Sequence, residues 1–145
     1  MFYVALVHRE GRHWLAEFPD APGCQTTAKS RDALLSRAEE ALAGWLEANL
    51  VSGMAPHRPR SRSAAPNGRE LWKIRVEAPL AVAVQIRWAR QDLGLTQKQL
   101  AERAGVSQQQ IAKLENPDEN PTIKTIAKVS AALGAQLDVS LTSAA

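Results

Sequence analysis

The sequence predicts an α+β protein of two units, a small β-β-β-α unit followed by an all-α unit. Three observations carry that expectation. FYVALVH and HWLAEF set β-branched and aromatic residues at two-residue spacing near the start of the chain. Apolar residues then recur at helical spacing from residue 31 and again, in successive segments, from residue 79. Between them, SGMAPHRPRSRSAAPNGR (residues 52–69) is rich in Pro, Ser, Gly and Arg, a composition that buries no core and reads as a linker or long loop. The expected division is residues 1–51, a linker at 52–70, and a helical unit at 79–145.

The elements follow in order. FYVALVH alternates Phe2, Val4 and Leu6 against Tyr3 and Ala5, the signature of a strand. Glu10–Gly11–Arg12 is a turn, so HWLAEF returns as the second strand of a hairpin. Pro19 and Pro22 break regular structure in FPDAPGC, and CQTTA is a third short strand. Ser30 suits a helix N-cap, and Asp32 complements the positive end of the helix dipole. Leu34, Ala38, Ala41 and Trp45 then mark a helix stripe, with Leu35, Leu42 and Leu46 beside it. LWKIRVE (71–77) is a further strand that completes the sheet or pairs elsewhere.

From Pro79 the pattern is helical. Val82, Ile86, Ala89 and Leu93 form one stripe, closed by Gly94. Thr96 with Gln99, and Ser107 with Gln110, have the spacing of capping boxes. Gly105 separates these two short helices and Asn116–Pro117 ends the second. Thr122 caps a last helix with a stripe of Ile123, Ile126, Val129 and Leu133. AQLDVSLT closes the chain with alternating Leu137, Val139 and Leu141, a strand over 135–141 too short to stand alone and expected to pair with a second copy.

Composition excludes several classes. Hydrophobic residues at 45% and charged residues at 23% fit a globular chain. No apolar run reaches the roughly 18 residues of a membrane span, and the N-terminus lacks a basic leader. With one cysteine, Cys24, no internal disulfide framework and no cysteine-based zinc site can form. A reducing, cytoplasmic setting is expected, with no cofactor, no metal and no membrane partner. The formal charge of +3 is uneven: −2 over residues 1–50, +4 over 51–78 and +1 over 79–145.

Two short helices joined by a glycine turn form a helix-turn-helix. Leu100, Ala101, Val106, Ile111 and Leu114 face inward, which leaves Gln108, Gln109, Ala112 and Lys113 outside. In this motif the second helix enters the major groove with its N-terminal residues against base edges. A glutamine amide offers a donor beside an acceptor, matching the N6–N7 edge of adenine. Gln110, third after the cap, reaches back to the Ser107 amide. Gln97 and Lys98 open the preceding helix, where an amide and a helix N-terminus can hold phosphate. The candidate DNA-contacting set is Gln97, Lys98, Ser107, Gln108, Gln109, Lys113 and Lys124. The near-neutral charge of residues 79–145 departs from the basic footprint of most DNA-binding domains. Trp88, off the buried stripe, is assigned to packing or a subunit contact.

The stretch LGLTQKQLAERAGVSQQQIAKLENPDENPTIKTIAKVSAALG resembles the Cro/C1-type (Xre) repressor domain, and every position of T-Q-x-x-L-A-x-x-A-G-V-S-x-x-x-I-x-x-L-E is filled from Thr96 to Glu115. The resemblance implies sequence-specific binding of duplex DNA, usually as a dimer on a palindrome. FYVALVH, HWLAEFPDAPGCQTTAKS and the helix after them resemble the HicB antitoxin family, most specifically at F-P-D-x-P-G-C-x-T (Phe18 to Thr26). That resemblance implies a partial RNase H-like N-terminal domain. It also implies a HicA-type mRNA-cleaving toxin as partner, and repression of the shared operon by the C-terminal domain. The protein would be a homodimer, able to pair into tetramers.

Catalysis by the first unit is not expected. Glu10 lies in a turn, Asp20 reads as turn chemistry, and Glu17 alone is no divalent-metal site. His8 and His13 read as surface histidines and Cys24 as a small buried residue. Two readings of other classes stay open: a ligand-sensing helix-turn-helix repressor without a toxin, and an interaction module with a vestigial repressor domain.

Overall fold

The computed structural model describes residues 1–143. Its elements are β1 (Phe2–Glu10), β2 (His13–Glu17), β3 (Gln25–Ala28), α1 (Arg31–Val51), β4 (Glu70–Arg75), α2 (Ala78–Asp92), α3 (Gln97–Ala104), α4 (Gln108–Leu114) and α5 (Ile123–Ala132). The architecture is α+β, with four strands in the order β3-β2-β1-β4 and every neighbour antiparallel. β1 and β2 join through Gly11–Arg12 after the pair Glu10↔His13. Gly11 has φ 61° and no non-glycine residue among those described has a positive φ, so only the first loop position is left-handed. That geometry matches the twist of a two-residue hairpin. The expected strand at 71–77 is β4, and it pairs with β1 from Phe2↔Arg75 to Val7↔Glu70. The Val76 N–H adds one more bond to that ladder, on the Met1 carbonyl at 3.1 Å, before Ala78 begins a helix.

α1 lies on the sheet face that carries Tyr3, Ala5, Val7, Ala16 and Ile74. The Ser30 hydroxyl caps it, accepting from the Ala33 N–H at 3.1 Å. Its buried stripe runs Leu34, Ala38, Leu42, Leu46 and Leu50, one residue in four. Each leucine buried this way contributes about 1.5–3 kcal/mol of transfer free energy. Leu35 falls off the stripe and stays 44% exposed.

α2 corrects the expected single stripe. Leu80, Ala81, Ala83 and Val84 are buried in the core of the sheet unit, while Ile86, with Val82 and Ala89 half-buried, packs into the core of the helical unit. Leu93 is 47% exposed. The helix serves two cores, so its apolar residues spread around the axis instead of lining one face. The second core gathers Leu100, Ala101, Ala104, Ile111, Leu114, Ile126, Val129 and Leu133. Ile123 is 67% exposed, at the first turn of α5, and drops out of the expected stripe.

Within the single chain, residues 135–141 pair with no described strand, as a segment too short to stand alone does. A further expectation changes. Residues 52–69 are irregular but anchored. The Met54 and Pro56 carbonyls accept from Arg87 and Trp88, and the His57 carbonyl accepts from the Tyr3 hydroxyl at 2.6 Å. Asp20, buried at 7% exposure, takes the Arg60 N–H at 2.9 Å and the Arg62 guanidinium at 3.0 Å. Asp20 lies in the turn that the Ala21 N–H closes on the Phe18 carbonyl at 3.1 Å, and it is a long-range anchor as well.

Candidate nucleic-acid interface

The helix-turn-helix is built by paired caps around one left-handed glycine. At α3 the Thr96 hydroxyl accepts from the Gln99 N–H at 3.1 Å, and the Gln99 side chain accepts from the Thr96 N–H at 2.9 Å. Ser107 and Gln110 repeat the arrangement at α4 with the same two distances, 3.1 and 2.9 Å. Between them Gly105 sits at φ 67°, ψ 37°, a conformation that side chains disfavour. The Val106 N–H closes the turn on the Ala101 carbonyl at 3.0 Å.

These caps sort the glutamines. Gln110 is engaged with the Ser107 amide, as its position predicted. The Ser107 hydroxyl is engaged as well, accepting from the Gln110 N–H and lying 3.3 Å from the Gln110 side-chain oxygen. Gln108 and Gln109, on the first turn of α4, are exposed, and their side chains make no hydrogen bond among the described residues. Lys113 shares that outer surface, while Ile111 and Leu114 are buried beneath it. Lys98 and Lys124, each in the first turn of its helix, are exposed. No ion pair engages Lys98, Lys113 or Lys124 among the described residues.

Gln97 differs from the rest. It is half-buried, and its amide nitrogen donates to a Glu115 oxygen at 3.1 Å. One amide hydrogen is left over for an outside acceptor. Glu115 is a residue whose role the sequence did not disclose. It is 3% exposed at the end of α4 and accepts from three side chains. Arg90 reaches both carboxylate oxygens at 2.9 Å, Gln97 reaches one, and Arg87 bonds the other through Nε. The available signal was the paired Arg87 and Arg90 on a helix otherwise apolar toward the core. Lys128, also unassigned from sequence, places Nζ 3.4 Å from the Gly105 carbonyl at the turn.

Comparison with known proteins agrees with this geometry. The HTH_3 helix-turn-helix family matches residues 86–139. Along 140 residues the chain is 31% identical to Antitoxin HicB 1 of Photorhabdus laumondii, spanning 95% of this chain and 84% of that protein. The chain belongs to the HicB antitoxin family. An HTH-type transcriptional regulator of Haemophilus influenzae is 40% identical over 65 residues, 43% of this chain and 66% of its own. A chain of a solved HicA3 and HicB3 toxin-antitoxin complex aligns at 27% identity over 42% of this chain and 72% of that one. Its TM-score is 0.39, too loose a likeness to place residues by.

In this HicB-family chain the acids of the sheet unit do not converge. Glu10 is exposed, Glu17 pairs with Arg69, and Asp20 holds Arg60 and Arg62. No cluster of three or more metal-binding side chains occurs among the described residues. His13 is exposed, and the Nδ1 of His8 is buried without a partner. Cys24 is buried, and burial pushes its thiol up to about 11, which keeps it neutral near pH 7. Trp88 packs on the anchored segment, its indole N–H donating to the Pro56 carbonyl at 2.7 Å with the Arg58 guanidinium 5.3 Å from its ring. No described helix is long and apolar enough to cross a membrane.

Proposed function

We propose that this HicB-family protein neutralises a HicA-type mRNA-cleaving toxin through its sheet unit and represses its own operon through the helix-turn-helix. The observation that carries the DNA half is the division of labour on α4: Ser107 and Gln110 hold the cap, which leaves Gln108 and Gln109 exposed and unbonded at the helix start. Those two amides, with Lys113, read base edges in the major groove. Gln97, Lys98 and Lys124 hold phosphate, and Ser107 fixes the register of α4. Such a reader works as a two-fold dimer, so half-sites lie about one helical turn apart. Val139 and Leu141, 69% and 99% exposed, supply the dimer contact, while Leu137 packs on the chain's own helical core.

The toxin half is supported by family membership and by the F-P-D-x-P-G-C segment. That segment is ordered by the Phe18 N–H on the Cys24 carbonyl, 3.2 Å, and by the Asp20 anchor. Neutralisation is steric, by covering the catalytic face of the toxin. The test is a pull-down of tagged full-length protein from its native cells. Recovery of a stoichiometric small basic protein that halts growth when expressed alone is the expected result. Operator binding with no such partner would instead favour a repressor that senses a small ligand.

A further inference from the structure

One residue of the helix-turn-helix unit reaches out of it. Arg87 is 5% exposed, and its Nε bonds Glu115. Its Nη1 donates to the Met54 carbonyl at 3.1 Å and its Nη2 to the Leu50 carbonyl at 3.4 Å. Those carbonyls belong to the last turn of α1 and the first residues after it. A planar guanidinium can span a carboxylate and two carbonyls at once, where a lysine ammonium cannot hold the same fork.

The chain beyond Met54 is tied at two ends. Toward α2, the Pro56 carbonyl accepts from Trp88, and Arg58 pairs with Asp92. Toward the sheet, the His57 carbonyl accepts from Tyr3, and Asp20 takes Arg60 and Arg62. Residues 54–62 form a strap fastened to the sheet by Asp20 and Tyr3 and to α2 by Arg87 and Trp88, the latter itself packed on the core of the sheet unit. Arg87 then continues through Glu115 to Arg90 and Gln97.

We infer that Arg87 is a positioning residue for DNA reading, which transmits the seating of strap 54–62 on the sheet unit through Glu115 to α4 and Gln97. The inference rests on the DNA-binding reading above. A buried carboxylate shared among three donors cannot lose or gain hold of one without shifting the others, since each hydrogen bond polarises its neighbours and an unmade one is costly. If the strap lifts, Arg87 loses the Met54 carbonyl and is left with Glu115 and the Leu50 carbonyl of α1. Glu115 closes α4 and also holds Gln97, so both the base-reading helix and a phosphate anchor move. Whatever docks on the sheet unit and disturbs Asp20 is thereby felt at the operator.

The test is a double-mutant cycle on the full chain, with affinity measured at fixed salt for a duplex that wild-type protein selects from a random pool. Arg87→Lys keeps a cation for Glu115 but loses the carbonyl fork, and weakens binding by about tenfold. Asp20→Ala frees the far end of the strap, well away from the glutamines, and weakens binding by about fivefold. Together they weaken it no more than Arg87→Lys alone, because the strap no longer has its route. Arg62→Ala is read in the same cycle as a milder release, in case Asp20→Ala unfolds the sheet unit. A purely structural role would lower the unfolding temperature of each variant while folded Asp20→Ala and Arg62→Ala bind like wild type, and that result overturns the inference. So do losses that multiply in the double variant. Wild-type protein that selects no duplex overturns the DNA-binding reading and this one with it.

Discussion

At the start of α4, Gln108 and Gln109 face solvent without an internal partner, whereas at its end Glu115 is 3% exposed and holds two arginines and a glutamine. The two ends are seven residues apart and follow opposite rules. The buried end takes its position from charge-assisted bonds with little freedom to rearrange. The exposed end keeps its hydrogen-bonding capacity for an outside partner. A helix of two turns has little rigidity of its own, so its reading end depends on how firmly the other end is fixed.

The largest test of that contrast is Glu115→Ala. It leaves Arg87 and Arg90 without their shared anion, and unfolding should become easier by about 3–5 kcal/mol, measured by urea denaturation. A loss near zero would mean that the buried end does not hold α4. Next, Gln108→Ala combined with Gln109→Ala should leave the unfolding midpoint within about 0.5 kcal/mol of wild type. The same pair should lose about 1–3 kcal/mol of base discrimination per amide, read by titrating operator against scrambled duplex. A stability loss there would show that the amides pack rather than read. Ser107→Ala should cost about 1 kcal/mol of stability. Gln110→Ala on that background should add less than it does alone, since the capping box is reciprocal. The smallest effect belongs to Lys113→Ala: no change in unfolding, and a salt dependence of binding shallower by about one unit of slope.

The exposed end of α4 was legible in the sequence and the buried end was not. Caps are local: Thr96 with Gln99 and Ser107 with Gln110 need only three-residue spacing, and Gly105 marks its own turn. The hairpin at Gly11 was legible for the same reason, and so was the α1 stripe in part: it was placed through Ala41 and Trp45 with Leu42 and Leu46 beside it, whereas the buried line runs Leu34, Ala38, Leu42, Leu46 and Leu50. Glu115 was missed because its partners come from α2 and α3, brought together only by folding. Asp20 was read as a turn residue, which it is, but its second role went unseen because Arg60 and Arg62, which answer it, lie far along the chain. Of the stripe Val82, Ile86, Ala89 and Leu93, only Leu93 falls away from the second core, while the burial of Leu80, Ala81, Ala83 and Val84 on the first went unread because periodicity within a helix cannot tell that two cores flank it. The segment 135–141 alternates as a strand does, but alternation gives no partner.

The position of β4 bears on how the protein comes to be made. β1 is an inner strand, yet its two neighbours arrive at very different times: β2 follows at once through a two-residue loop, while Val4 must wait for Lys73. Closing so long a loop delays the pairing. During synthesis, β1 therefore emerges with one edge open until the strap and β4 have left the ribosome. A chain cut at residue 51 would keep that edge permanently, with Tyr3 losing its cross-strand neighbour Ile74. Pulsed hydrogen exchange during refolding should protect the β1–β2 amides ahead of the β1–β4 amides.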